Sequence, residues 1–122
     1  MITNFANQTV FLKQEEKEIM VPMLIEGFKL RTKQTSIKAP EIVRKMNAAL
    51  IQKGVKIKFS EARLRKLCNY IRSNGLLPLI ATSDGYYCSW DKNEIQSQIN
   101  SLLERACAIE NSANGLRKFL TT

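Results

Sequence analysis

Histidine is absent from this chain of 122 residues. That removes the commonest general base and the usual partner of a catalytic nucleophile. Cysteine is scarce: Cys68, Cys88 and Cys107, an odd and widely spaced set with no Cys-x-x-Cys pair. Such a set argues against a disulfide framework, and without histidine it argues against a zinc site. The three read as small apolar fillers in a reducing compartment. None of the five glycines belongs to a phosphate-cradling loop, and no carboxylate pair carries a nucleophile or metal signature. The expectation is a protein that is not an enzyme and uses neither a metal nor a cofactor. No apolar run approaches the roughly 20 residues that span a bilayer. The opening MITNFANQTVFLKQEEKE has no basic start, long apolar stretch or small-residue cleavage site, so a cytoplasmic protein with no membrane partner is expected.

What the chain does have is ordinary globular material: 44% hydrophobic and 25% charged residues, at a length that suits one modest core. The net charge is +8, and its distribution says more than its size. Thirteen Lys or Arg fall between Lys29 and Arg72 against only Glu41 and Glu61, a net of +11, while the remainder carries six basic and nine acidic residues. One positive block beside slightly acidic flanks is the footprint expected for a polyanion partner.

Hydrophobic periodicity orders the chain. Ile19, Met23 and Leu24, extended by Leu30, predict a helix over 16–31, with Pro22 tolerable only near its first turn. Pro40 at a first helical position, Ile42, Val43, Met46, Ala49 and Leu50 at helical spacing, and Gly54 as a stop predict a second helix over 40–53. VKIKF at 55–59 is a tight link or a small strand. Ser60 is a suitable N-cap, and Leu64, Leu67, Cys68 and Ile71 form the apolar stripe of a third helix over 61–73, closed by Asn74-Gly75. LLPLIATSDGYYCSW predicts a hairpin with strands at 78–82 and 86–90. Asp84 and Gly85 are expected to accept positive φ at its turn, and Tyr86, Cys88 and Trp90 to share a face. Asp91 with Glu94 resembles a capping box. Beyond it Ile95, Ile99, Leu102, Ala106, Ile109, Ala113, Leu116 and Leu120 alternate spacings of four and three, an unbroken heptad rhythm.

Three helices, a β-hairpin and a helix is the element order of a winged helix-turn-helix, mainly α with the hairpin as wing. The expected organisation is an N-terminal arm at 1–15, a winged-helix domain at 16–90 and a C-terminal helix at 91–122. The motifs RLRKLCNYIR at 63–72, SNGLLPLI at 73–80 and ATSDGYY at 81–87 make the pattern specific. Over about residues 19–110 the chain resembles small winged-helix proteins of bacteriophages, prophages and related mobile elements. That resemblance implies a DNA-binding role in replication or transcription control inside a host bacterial cell.

On a helical wheel the third helix turns Ala62, Lys66, Asn69 and Ser73 away from its apolar stripe, with Arg65 and Arg72 on one flank and Arg63 and Tyr70 on the other. Lys66 and Asn69 at the centre are the candidate base readers of double-stranded DNA. Arg63, Arg65 and Arg72 are candidates for phosphate contact, with Ser73 beside them. Lys56 and Lys58, just before the helix, suit backbone phosphates, as do Lys33 and Lys38 more weakly. The wing tip Thr82-Ser83-Asp84-Gly85 has no cation, and Asp84 repels phosphate, so the wing is expected to brace rather than grip. The heptad stripe is about 39 Å long at 1.5 Å per residue, more than a small domain buries. Its first half is expected to pack on its own domain and the remainder to form a homodimer, with Ile99, Leu102, Ile109 and Leu116 as dimerisation residues. The alternative is a winged-helix interaction module or inhibitor that docks on an acidic host or phage protein.

Overall fold

A computed structural model describes residues 12–121. The expected arm at 1–15 therefore lies, for its first eleven residues, outside the described part. The fold is mainly helical with one two-stranded antiparallel hairpin. It divides into two units, one ending at Ser89 and one beginning at Trp90.

In the first unit a helical run begins at Gln14, widens into a π turn, Glu16–Met20, and passes directly into α1, Val21–Lys29. The π turn is where the chain accommodates Pro22. The Val21 N–H donates to the Glu16 carbonyl five residues back. The wider turn spares the following proline the clash and missing donor it would bring to a regular helix interior. The buried column differs in part from the expected stripe, of which Leu24 is buried and Ile19 and Met23 pack at the core's edge. Met20, Val21, Leu24 and Phe28 are buried, Ile19 and Met23 are only half-buried, and Leu30 lies past the helix end, exposed. Glu16, Met20, Leu24 and Phe28 fall four residues apart on one face, so a carboxylate heads an otherwise apolar column.

The next two helices match their sequence signals. α2 is Ala39–Gln52 with proline in its first turn, and α3 is Glu61–Ser73, where the Ser60 hydroxyl accepts the Arg63 N–H at 3.2 Å. Both end in the same way. The Val55 N–H reaches the Leu50 carbonyl at 2.9 Å after α2, and the Leu76 N–H reaches the Ile71 carbonyl at 3.0 Å after α3, each around a glycine. Between them 55–59 is irregular rather than a strand, and its Phe59 is fully buried.

The hairpin pairs β1, Leu79–Thr82, with β2, Gly85–Cys88, in the register Leu79 to Cys88 and Thr82 to Gly85. Ser83 and Asp84 form the loop. Asp84 does not take positive φ; Gly85 alone does, at +130°. The second strand ends before the expected 90, leaving Trp90 outside it and 77% exposed. Tyr87 is the buried aromatic of β2, and Tyr86, half-buried, lies against Phe28 with ring centroids 5.9 Å apart. A third extended segment adds to the hairpin: Ile37 and Tyr86 exchange backbone hydrogen bonds at 3.0 and 2.8 Å. β2 thus lies between β1 and the segment that precedes α2.

The second unit is α4, Lys92–Arg117, continued by a short 3-10 turn, Lys118–Leu120. The Asp91 carboxylate caps it, accepting the Asn93 and Glu94 N–H groups at 2.7 and 3.3 Å. Ile95 and Leu102 are half-buried; every residue from Leu103 to Thr121 is exposed.

Candidate nucleic-acid interface

Residues Leu64, Leu67, Cys68 and Ile71 sink into the core, as their spacing predicts, and fix the orientation of α3. Glu61, Ala62, Arg65, Asn69 and Ser73 are exposed. The open face is therefore turned toward Arg65 and away from Lys66.

The cause is Glu16. Its side chain is 3% exposed, and it accepts Lys66 Nζ at 2.8 Å and Arg63 Nε at 2.9 Å, leaving those two side chains only 20% and 19% exposed. The backbone N–H of Lys13 adds a third donor at 2.9 Å. Burial pushes the Glu16 carboxyl up, but the hydrogen bonds from Lys66 and Lys13 and the charges of Lys66 and Arg63 outweigh it and hold the group below its ordinary value. Arg63 also donates through Nη1 to the Lys58 carbonyl at 2.9 Å. Two of the cations read from sequence as nucleic-acid contacts thus join the helical run before α1 to α3. The expectation of Lys66 as the central reader is corrected: a lysine drawn into a buried ion pair cannot extend into a groove without breaking it.

Arg72 is likewise turned inward, its Nε donating to the Leu79 carbonyl at 3.0 Å and tying α3 to the first hairpin strand. Lys56 and Lys58 are exposed on the segment leading into α3, and Lys33 and Lys38 are exposed before α2. Lys56, Lys58, Arg65, Asn69 and Ser73 remain outward, while Arg63, Lys66 and Arg72 hold the scaffold.

That lead-in segment is itself fixed. Asn47 of α2 accepts the Phe59 N–H at 2.8 Å and donates to the Phe59 carbonyl at 3.0 Å, so the backbone just before the α3 cap is bracketed by one side chain. The hairpin tip is tied too: Ser36 Oγ donates to the Asp84 carbonyl at 3.2 Å. A Cβ on Gly85 would lie 2.6 Å from the Ile37 carbonyl carbon and oxygen, so the strands pass this close only because the residue is glycine. Asp84 is exposed and the tip brings no cation.

Sequence reasoning missed Glu16, Asn47 and Phe59. A signal for Glu16 was present, since it shares the four-residue spacing of the buried column; the signal for Asn47 was weak, because asparagine on a helix most often faces solvent.

Other features lie apart from this face. A groove of about 490 Å³ is lined by Met23, Leu24, Gly27, Met46, Arg31 and Lys45 among others, none of them from α3. Cys68 is buried, and burial pushes its thiol up to about 12; Cys88 is raised for the same reason. Among the described residues there is no group of three or more acidic or cysteine residues able to hold a metal ion, and no helix long and apolar enough to cross a membrane. Compared with protein-family models, curated proteins and solved structures, the chain has no match, and the reading of this face rests on its own geometry.

Proposed function

We propose that the chain is a winged-helix protein that binds double-stranded DNA through the outward face of α3. The observation that carries this reading is the division of that helix. Its apolar stripe is buried and its opposite face presents Ala62, Arg65, Asn69 and Ser73 to solvent, with Lys56 and Lys58 on the approach, in and at the end of the 29–72 segment of net charge +11. A helix held by one face and bearing donors on the other is what insertion into a major groove requires. The bridge between Ile37 and Tyr86 supports the winged-helix assignment, because it sets the stretch between α1 and α2 alongside the second hairpin strand.

Within this reading Arg65 and Asn69 face base edges, the first suited to guanine and the second to adenine. Lys56, Lys58 and Ser73 bind phosphates, which set position without carrying sequence. Arg63 and Lys66 set the height and angle of α3 through Glu16, and Arg72 sets them through β1. A phage or mobile-element setting, in replication or transcription, rests on the resemblance of residues 63–87 described above.

The test is selection from random duplexes at two salt concentrations, followed by binding with Arg65→Ala and Asn69→Ala. A recovered motif and an affinity that falls steeply with salt are expected. If joint charge reversal at Lys56, Lys58 and Arg65 leaves duplex affinity unchanged, the reading is wrong. Capture of an acidic protein with no duplex shift at low salt would replace it with the interaction-module alternative.

A further inference from the structure

We infer that α4 pairs with α4 of a second copy, antiparallel, through the stripe 102–120. This inference is independent of the nucleic-acid reading. Its first support is exposure: Ile109, Leu116 and Leu120 are 71%, 68% and 83% exposed, with Leu103 and Phe119 beside them. A lone helix with a continuous apolar stripe in water is marginal and leaves that surface hydrated. Its second support is period. Spacings of three and four residues, sustained from Ile99 to Leu120, keep a seam on one side only when the facing element is another helix wound around it.

The sizes along the stripe identify the partner. Two positions are hollows, Ala106 and Ala113; two between and after them are knobs, Ile109 and Leu116. Rotating one copy by half a turn about an axis through Asn111 sets Ala106 against the partner's Leu116 and Ala113 against the partner's Ile109. Every hollow then receives a knob, and Leu102 faces the partner's 3-10 turn, which carries Leu120. The stripe is complementary to itself under a two-fold rotation, the requirement for an isologous pair. A parallel pairing instead stacks alanine on alanine in two core layers and leaves voids there, which close-packed cores do not tolerate well.

Charge favours the other arrangement, and magnitudes decide. In a parallel pair Arg105 sits across from the partner's Glu110. In the antiparallel pair Glu110 meets the partner's Glu110 near the axis, while Arg105 lies over the partner's Phe119. Exposed ion pairs contribute little beside the filling of a core layer, so packing sets the direction. The chosen register also uses the exposed half of α4 and makes no demand on Ile95.

Sedimentation equilibrium of the full chain tests the pairing. We expect a dimer of the 13.9 kDa chain at about 100 μM, a range in which even weak pairs populate. Leu116→Asp should raise the dissociation constant at least about tenfold, with the thermal unfolding of the first unit unchanged. Glu110→Gln should tighten an antiparallel dimer and weaken a parallel one. In a Cys107→Ser background, Ala106→Cys protein mixed with Leu116→Cys protein should cross-link on mild oxidation, while Leu116→Cys alone should not. A monomer at every concentration overturns the inference, as does self-cross-linking of Leu116→Cys or weakening by Glu110→Gln.

Discussion

Asn47 holds Phe59 by both ends of its peptide backbone: its amide oxygen takes the N–H at 2.8 Å and its amide nitrogen meets the carbonyl at 3.0 Å. Phe59 has no solvent exposure, so neither backbone group finds water if the amide is removed. Asn47→Ala should therefore cost about 2–3 kcal/mol, the desolvation penalty of two buried polar groups softened by relaxation. Asn47→Asp keeps the acceptor but sets a carboxylate against the Phe59 carbonyl, and should be no better. Urea unfolding measures both; a loss under about 0.5 kcal/mol for Asn47→Ala would show that the bracket stabilises nothing.

The Glu16 cluster predicts a pH signature. Its folded pKa lies below the ordinary carboxylate value, so its contribution is fully present above the unfolded value of about 4.3 and is lost as pH falls through the lower, folded value. Glu16→Gln should cost about 2–4 kcal/mol at neutral pH, since it leaves two inward cations without their charge partner. The gap between parent and variant should narrow as the pH is lowered below about 4.3. A gap that stays constant from neutral pH down to strong acid would mean that the ion pairs are not its source.

Two glycines should respond in opposite directions to the same substitution. Gly85→Ala places a methyl 2.6 Å from the Ile37 backbone at a φ of +130°, and should cost about 2–4 kcal/mol by strain and by displacement of the bridged Ile37 segment. Gly27→Ala, in α1 with nothing within 4 Å of the new methyl, should stabilise by about 0.5–1 kcal/mol through helix propensity. Thermal melts of the pair, with Gly27→Ala as the internal control, make the comparison.

Arg65 and Lys66 are neighbours that should separate binding from folding. Arg65→Ala removes an exposed cation. It should leave stability within about 0.5 kcal/mol while weakening duplex binding and reducing the salt slope by about 1. Lys66→Ala should chiefly destabilise, because it opens the Glu16 ion pair. Equal effects of the two on affinity, with no loss of stability in either, would return Lys66 to the outer face.

Thiol reactivity offers a simple check of the packing. Cys107 is exposed, Cys88 intermediate and Cys68 buried, and the Cys68 thiol is pushed up to about 12. A thiol-specific reagent should modify the native chain in that order, with Cys68 reacting only on unfolding. Early modification of Cys68 would contradict the placement of α3 in the core.

Much of the backbone was legible because its signals are local. Pro40, Ser60, Gly54 and Asn74-Gly75 set the ends of α2 and α3 through caps that act within a few residues. Asp84-Gly85 marked the hairpin for the same reason, although only the glycine uses positive φ. Two readings fell short where the physics is not local. The stripe of α1 was placed only in part: Leu24 is buried and Ile19 and Met23 pack at the edge of the core, but the column Met20, Leu24 and Phe28 runs through a π turn that periodic counting does not foresee. Lys66 was placed on the outer face because its partner, Glu16, is 50 residues away in sequence. A helical wheel registers apolar neighbours and has no knowledge of a distant carboxylate. The C-terminal heptad was plain in the sequence, and so was its excess over what one small unit buries.

The π turn has a consequence for how this chain tolerates changes in length. Losing one residue inside a regular helix normally rotates everything upstream by about 100° relative to everything downstream. Here the surplus width is already concentrated between Glu16 and Met20, so excision of Lys17 would let the turn relax to ordinary helical pitch with α1 left in place. The Glu16 carbonyl would then accept the Val21 N–H across an ordinary α-helical turn, and the carboxylate would keep its place at the head of the column, within reach of Arg63 and Lys66. A single codon deletion at that site should therefore be absorbed with the anchoring of α3 intact, where the same deletion inside a regular helix would break it.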